Sequence, residues 1–371
     1  MNKKFFTLLA ATCIFSVAST VMANEVVIPQ NKLKQAGINV NRAHMGRFSS
    51  DNSFLYLYQS NPDLKRTREG FPVELFVLPI DGKNKVGDIK KYEISSPVSK
   101  IEGMTLTPDQ KNVIIISKSG TSFVKLNLET GKQETILEHV EGQPGFRSNP
   151  QLIRVDNGEV FVQGYFYDSQ NFAGVDCTTI LDPSKKGVEA FKEVIRIEKT
   201  IDYDLRPLAY SFTSTKCAFG VLDDKKGKQS IFAWNPPEVN EPVTVDDGKK
   251  ISDFWASGNR VAYSIQRADE TYDLMIYDLK TKEKKTIASG TKTPYFNLAL
   301  SEDASTLLFT DTEHRITRAK YFYADEASGW QMKPVVDFGD KTRPFGVTRI
   351  SNNGGKVAVF NRKSLTIADV K

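Results

Sequence analysis

Short apolar runs separated by polar turns dominate the chain and predict an all-β fold. The runs FLYLY, VIIIS, RVAYSIQ, TLLFT and KVAVF are rich in β-branched and aromatic residues, and Asp, Asn, Gly, Ser or Lys bounds each of them. This pattern is typical of strands that are joined by tight turns. Helical periodicity is confined to residues 184–196, where the sequence fits either a helix or a pair of strands.

A polar turn followed by an apolar strand recurs along the chain. The spacing is roughly 40 to 55 residues, the length of a four-stranded propeller blade. The seven copies are FSSDNSFLYLY from Phe48, LTPDQKNVIII from Leu106, VDNGEVFV from Val155, FTSTKCAFGV from Phe212, WASGNRVAYS from Trp255, LSEDASTLLFT from Leu300 and ISNNGGKVAVF from Ile350. The repeat predicts one domain over residues 24–371, a seven-bladed β-propeller with blades that start near residues 45, 101, 146, 202, 251, 293 and 343.

The two ends of the chain are expected to share one blade. The last repeat stops after SLTIADVK without a fourth strand, and residues 26–28 form an apolar segment ahead of the first repeat. A propeller that builds one blade from both termini removes exposed sheet edges. We therefore predict that the N-terminal segment is the outer strand of the seventh blade and closes the ring.

The repeated motif resembles that of a known family. LTPDQKNVIII, LSEDASTLLFT and FSSDNSFLYLY, with strands such as DLMIYDLKTKEKK, resemble the WD40-like repeat of TolB-type and prolyl-oligopeptidase-type propellers over nearly all of residues 24–371. The resemblance implies a fold, and fold does not imply function. TolB-type proteins carry an α/β domain before a six-bladed propeller, and the peptidases add a hydrolase domain with a Gly-x-Ser-x-Gly motif. Seven repeats and the lack of that motif depart from both patterns.

The first 23 residues have the pattern of a secretory signal peptide. Lys3 and Lys4 precede an apolar run over residues 5–21, and Val21-Met22-Ala23 is a small-residue cleavage site. An uncleaved membrane anchor is the alternative, although five Ser and Thr residues interrupt the run. We expect cleavage after Ala23, a periplasmic or secreted location, and no transmembrane segment in the mature chain.

Charge and cysteine content limit the partners and the covalent links. The chain has 50 basic and 45 acidic residues, so removal of Lys3 and Lys4 leaves 48 against 45, a net charge of +3. This charge is too small to indicate a nucleic acid partner. Cys177 and Cys217 fall in adjacent predicted blades, and they form either one disulfide or two buried thiols. We expect the protein to be a monomer.

A basic residue lies in the loop that leads into the innermost strand of every predicted blade. Where such loops ring one mouth of a central channel, seven positive side chains would meet and attract an anion. The predicted basic collar consists of Arg42, Lys100, Arg147, Arg206, Lys249 or Lys250, Lys292 and Arg343. The partner it suggests is a protein, an anionic saccharide or a lipid headgroup of the cell envelope; scattered solvated charges are the alternative.

The sequence contains no His or Cys residues at the spacing of a known catalytic or metal-binding motif. Its three histidines do not pair, and it has no Cys-x-x-Cys or His-Glu-x-x-His motif. Candidates for an acid, a base or a cation ligand at the channel mouth are His44, Asp202, Asp204, Asp253 and Tyr295. We therefore predict a non-enzymatic binding or scaffolding propeller without metal or cofactor. The alternative is a propeller lyase or hydrolase that acts on an anionic sugar or lactone.

Overall fold

The fold is almost entirely β-sheet. The computed structural model describes residues 24–61, 67–98, 103–118, 121–138, 144–154, 159–168, 173–197, 206–213, 215, 217–223, 228–234, 243–314, 318–337, 348–360 and 364–370. The predicted signal peptide, residues 1–23, lies outside these ranges. No helix in them is both long and apolar enough to cross a membrane.

The described strands form seven groups of four antiparallel strands. A first strand, β1 (Glu25–Pro29), and a short helix, α1 (Gln30–Gln35), precede them in the chain. Group 1 contains β2 (Ala43–Phe48), β3 (Phe54–Ser60), β4 (Phe71–Pro79) and β5 (Lys90–Val98). Group 2 contains β6 (Met104–Leu106), β7 (Asn112–Ser117), β8 (Ser122–Asn127) and β9 (Gln133–Leu137). Group 3 contains β10 (Gly145–Arg154), β11 (Val160–Asp168), β12 (Ala173–Leu181) and β13 (Phe191–Ile197).

The remaining groups follow the same order along the chain. Group 4 contains β14 (Arg206–Phe212), β15 (Ala218–Asp223), β16 (Gln229–Trp234) and β17 (Val243–Gly248). Group 5 contains β18 (Lys250–Ser257), β19 (Arg260–Gln266), β20 (Tyr272–Asp278) and β21 (Glu283–Thr291). Group 6 contains β22 (Phe296–Leu300), β23 (Thr306–His314), β24 (Arg318–Asp325) and β25 (Met332–Asp337). Group 7 contains β26 (Thr348–Ile350), β27 (Lys356–Phe360) and β28 (Ser364–Asp369), and β1 is its fourth strand.

Strand pairing within a group follows chain order, with two special cases. A single pair, Val98 with Ser117, joins groups 1 and 2 into one eight-stranded sheet. In group 7, β1 lies antiparallel to β28, from Glu25 opposite Ala368 to Pro29 opposite Ser364. This is the pairing of chain ends that the sequence predicts.

The first strands of most successive groups contact one another. β2 contacts β6, β6 contacts β10, β14 contacts β18, β18 contacts β22, β22 contacts β26, and β26 contacts β2. The hydrophobic core is divided into clusters that neighbouring groups share. Val113 and Ile115 of β7 pack between groups 1 and 2, whereas Ile114 and Ile116 pack between groups 2 and 3. The run VIIIS is continuously apolar because both faces of its sheet are covered.

A recurring hydrogen-bond pattern explains the repeated turn motif. It occurs over residues 49–54, 107–112, 301–306 and 351–356. In each turn the N–H of the first residue donates to the carbonyl of the last at 2.9 Å. The Ser or Thr hydroxyl of the first residue accepts the N–H of the last at 2.9 to 3.1 Å, and it donates to the Asp or Asn two positions later. The fourth residue has a positive φ of 55° to 68°, so the turn favours small or polar residues there.

Two short elements differ from the sequence-based expectation. The α1 helix, which the sequence did not predict, buries Leu33 completely. It ends at Gln35, and Gly37 just beyond it has a φ of 84°, which lets the N–H of Ile38 donate back to the carbonyl of Leu33. Within residues 184–196 the chain forms a 3₁₀ helix, Gly187–Ala190, followed by the single strand β13, so the segment is neither a long helix nor a strand pair.

Candidate functional site

The tight turns that follow the first strands gather at one end of the groups. Thr213 Oγ1 of group 4 donates to the carbonyl of Gly258 in group 5 at 2.6 Å, and Ser257 Oγ of group 5 donates to the carbonyl of Glu302 in group 6 at 3.0 Å. Asn52 Nδ2 of group 1 donates to Asn353 Oδ1 of group 7 at 2.9 Å. We call this end the turn end, and we call the opposite end, where loops lead into the first strands, the leading end.

Four basic side chains of the predicted collar region are exposed at the leading end. Arg42 directly precedes β2, Lys249 and Lys250 lie where β18 begins, and Lys292 lies in the loop before β22. Lys249 Nζ lies 3.5 Å from Glu270 Oε1. The other three make no ion pair with the described residues. The loops that carry these residues, 36–42, 249–250 and 292–295, contain no Asp or Glu.

The other members of the predicted collar are less fully defined. Arg206 is the first residue of β14, and Arg147 lies near the start of β10, with side chains outside the described part of the structure. Lys100 and Arg343 lie outside the described residues. The collar as a ring of seven charges therefore stays a prediction.

His44 is a half-buried residue of β2 at the leading end. It lies directly opposite Tyr58 of β3, and the two ring centroids are 5.4 Å apart. Burial lowers the pKa of His44 below the usual histidine value, so the imidazole is neutral at neutral pH. A neutral imidazole can accept a proton, which keeps His44 a candidate base.

Asp253 and Tyr295 connect groups 5 and 6. Asp253 Oδ2 accepts the backbone N–H of Leu298 at 3.1 Å, and burial raises the pKa of the Asp253 carboxyl despite this bond. Tyr295 is 3% exposed, and its ring packs edge-on against Phe309 at 5.8 Å. The Tyr295 ring therefore belongs to the core shared by the two groups rather than to an exposed channel mouth. Asp202 and Asp204 lie outside the described residues.

Cys217 lies on the group 5 side of group 4. Its Sγ is 3.4 Å from Thr215 Oγ1 and 3.5 Å from Asn259 Oδ1, and it packs in the core that groups 4 and 5 share. Cys177 lies in β12 of group 3, with its side chain outside the described part. The disulfide stays a prediction, and the position of Cys217 favours the alternative of two thiols. Among the described residues, no group of three His, Cys, Asp or Glu side chains could hold a metal ion.

Two arginines that the sequence reasoning missed lie near the turn end of the first strands. Arg47 Nη2 of β2 donates to the carbonyl of Leu152 in group 3 at 3.3 Å, and Arg47 Nη1 lies 3.6 Å from Glu302 Oε1 in group 6. Arg349 Nε of β26 donates to the carbonyl of Gly46 at 2.8 Å. Both arginines occupy the second position before the turn serine of their repeat. An alignment of the repeats on that serine would have identified these two arginines as equivalent residues.

No protein-family model matches the sequence, and no curated protein matches it. Similar solved structures include an oligogalacturonate lyase in complex with manganese, with a TM-score of 0.59 and 10% identity over 90% of this chain and 92% of that chain. A puromycin hydrolase has a TM-score of 0.57 and 11% identity over 90% of this chain and 53% of that chain, so the present chain spans about half of the hydrolase. An uncharacterised protein of Listeria monocytogenes has a TM-score of 0.52 and 10% identity over 86% of this chain and 89% of that chain.

These comparisons concern architecture. The lyase and the hydrolase are β-propeller proteins, and the described strands of this chain form the same kind of successive four-stranded antiparallel groups. Because the identities are 10% to 11%, the likeness shows the fold alone. The chain thus has the fold of a β-propeller.

Proposed function

We propose that this protein is an exported, non-enzymatic binding module, a seven-bladed propeller closed by β1, whose leading end binds an anionic ligand. The exposed side chains of Arg42, Lys249, Lys250 and Lys292, on loops without acidic residues, carry the proposal. The ligand class is an anionic saccharide of the cell envelope, since a repeating negative charge suits basic side chains on successive loops. An acidic protein or a lipid headgroup is the competing partner that the experiment must separate.

Electrostatic attraction at this end has a defined signature. Exposed charges are screened over about 10 Å at 0.1 M salt, so binding at the leading end should weaken as salt increases. Removing three of the basic side chains should lower both the affinity and its salt dependence. A ligand held mainly by apolar contacts would lack this behaviour.

The test compares two variants of equal charge. Arg42→Ala/Lys250→Ala/Lys292→Ala removes three charges at the leading end. Lys83→Ala/Lys132→Ala/Lys280→Ala removes three exposed charges from hairpins between third and fourth strands, at the turn end. Binding to polygalacturonate, to an acidic peptide and to anionic lipid vesicles is measured at several salt concentrations. We expect polygalacturonate binding to weaken about tenfold or more in the first variant only; equal affinities in both variants would contradict the proposal.

The alternative function is a lyase or hydrolase that acts on an anionic sugar or lactone at the same end. The observation in its favour is His44, because its lowered pKa leaves a neutral imidazole that can accept a proton. The protein is incubated with polygalacturonate, with and without added manganese, and new chain ends are measured over time. Turnover that His44→Gln abolishes would establish the enzyme and reject the non-enzymatic proposal.

A further inference from the structure

A cationic side chain lies between the first strands at the turn end. Arg47 extends from group 1 to the backbone of group 3 and to a side chain of group 6. Groups 2 and 7 flank group 1, whereas groups 3 and 6 lie one group farther away on either side. A side chain of group 1 can reach both only from a position that the first strands surround. The side chain is 36% exposed, which leaves the guanidinium accessible to a small solute.

The described surroundings do not satisfy this guanidinium. Its one hydrogen bond to a described residue, 3.3 Å long, goes to the neutral carbonyl of Leu152. The Glu302 carboxylate at 3.6 Å is farther than the 2.7 to 2.9 Å typical of a charge-assisted hydrogen bond. Arg offers five N–H donors in a planar fork, so most of them have no acceptor among the described residues. The arrangement leaves donors for a second planar carboxylate.

An aromatic side chain of another first strand adds to the site. Trp255 of β18 is 37% exposed, and it lies two residues before Ser257, whose hydroxyl binds the backbone of Glu302. An exposed indole ring is suited to packing against a sugar ring.

We infer that the turn end contains a binding site for a small carboxylate of the sugar-acid type, with Arg47 as its main donor. The Trp255 ring packs against the sugar. Glu302 acts as an internal competitor, because its carboxylate lies 3.6 Å from the guanidinium when no ligand is bound. This site lies at the end opposite to the basic loops, so it is independent of the function proposed above.

Calorimetric titration with D-glucuronate tests the inference, with sodium acetate and sodium chloride at matched ionic strength as comparison solutes. Arg47→Met should weaken glucuronate binding about tenfold or more, since it removes hydrogen bonds to a charged group. Glu302→Gln should tighten binding several-fold, because it removes the competing charge. Lys132→Met, an equal loss of charge in the exposed hairpin between β8 and β9, should leave the affinity unchanged and is the matched control.

Each possible result of the titration supports or overturns the proposed carboxylate site. Glucuronate binding that exceeds acetate binding supports a sugar acid, and equal binding of the two reduces the site to a carboxylate site without ring recognition. Chloride binding of the same strength, no glucuronate binding, or unchanged affinity in Glu302→Gln would overturn the inference and leave Arg47 as a structural tie. Thermal unfolding checks that each variant folds. If Arg47→Met does not fold, Arg47→Lys replaces it, and the loss of the planar fork should still weaken binding several-fold.

Discussion

At the scale of single residues, a buried hydroxyl holds each of the four equivalent turns. Ser351 is fully buried, and its Oγ accepts the N–H of Lys356 at 2.9 Å. Ser351→Ala should lower the free energy of unfolding by about 1 to 3 kcal/mol, because it leaves that buried N–H without its acceptor. Chemical denaturation measures the loss. Asn352→Ala in the same turn is the control and should change stability little; equal losses in the two variants would contradict this account of the motif.

A second residue-scale feature is the charged cluster where groups 7 and 1 meet. Asp369 Oδ1 accepts from Lys356 Nζ at 2.9 Å and from Asn84 Nδ2 at 3.1 Å. Burial alone would raise the pKa of Asp369, but these hydrogen bonds outweigh it and hold the pKa below the usual aspartate value. Asparagine cannot reproduce the ion pair, so the side chain is expected to contribute stability through its charged form.

The lowered pKa gives this contribution a pH dependence of known sign. A carboxyl whose pKa is depressed by folding stabilises the fold above its unfolded pKa, about 3.9, and loses that contribution as the pH falls through the folded value. Asp369→Asn should therefore be destabilised at pH 7, and the difference from wild type should shrink toward pH 3. Unfolding curves between pH 3 and 7 measure it. Asp88→Asn, at an exposed position, is the control; a difference that persists at pH 3 would rule out the ionic contribution.

At the scale of elements, the N-terminal strand is part of the core. Ile28 of β1 is 9% exposed and packs in the cluster that groups 7 and 1 share, whereas Val27 beside it is 52% exposed. Ile28→Thr should lower the free energy of unfolding by about 1 to 3 kcal/mol through lost apolar burial and a buried hydroxyl. Val27→Thr on the same strand should cost little. Denaturation of both variants checks the difference, and equal effects would place β1 outside the cooperative fold.

The sequence predicted those elements whose pattern is set locally. The strands of the repeats, the buried β7 strand and the pairing of residues 26–28 with the end of the chain followed from polar turns, apolar runs and an unpaired segment. The α1 helix was missed because six residues provide too little periodicity. Gly37, which follows the helix, was the signal in the sequence that a helix could end there.

The candidate sites were harder to predict because they depend on contacts between distant groups. Arg47 contacts Leu152 and Glu302, which are separated from it by 105 and 255 positions in the sequence. No local sequence pattern encodes such contacts. Conversely, Tyr295 lies in a loop before a first strand, where the sequence suggested an exposed side chain, but packing against the neighbouring group buries its ring. Sequence spacing therefore located the loops, and tertiary packing decided which of their side chains are exposed.

At the scale of the whole molecule, the two ends of the first strands differ in their chemistry. The turn end is tied together by hydrogen bonds between turns of groups 4 to 7 and group 1. The described loops of the leading end carry exposed basic residues instead. Stability and the binding of the anionic saccharide proposed for the leading end are thus expected to depend on different ends, and charge removal at the leading end should change the affinity for that ligand with little effect on the free energy of unfolding.

Closure of the molecule by β1 can be tested with a covalent link. Val27 of β1 lies opposite Thr366 of β28, and opposite residues of antiparallel strands have Cα atoms about 4.5 to 5.5 Å apart, within the range of a disulfide. In Val27→Cys/Thr366→Cys, oxidation should raise the midpoint of thermal unfolding by several degrees, because the link closes almost the entire chain into one loop and restricts the unfolded state. Reduction should reverse the gain. The single variants Val27→Cys and Thr366→Cys control for pairing with Cys177 or Cys217. If the double variant oxidises without gaining stability, separation of β1 from β28 does not limit unfolding, and the predicted closure by β1 would not account for the stability of the fold.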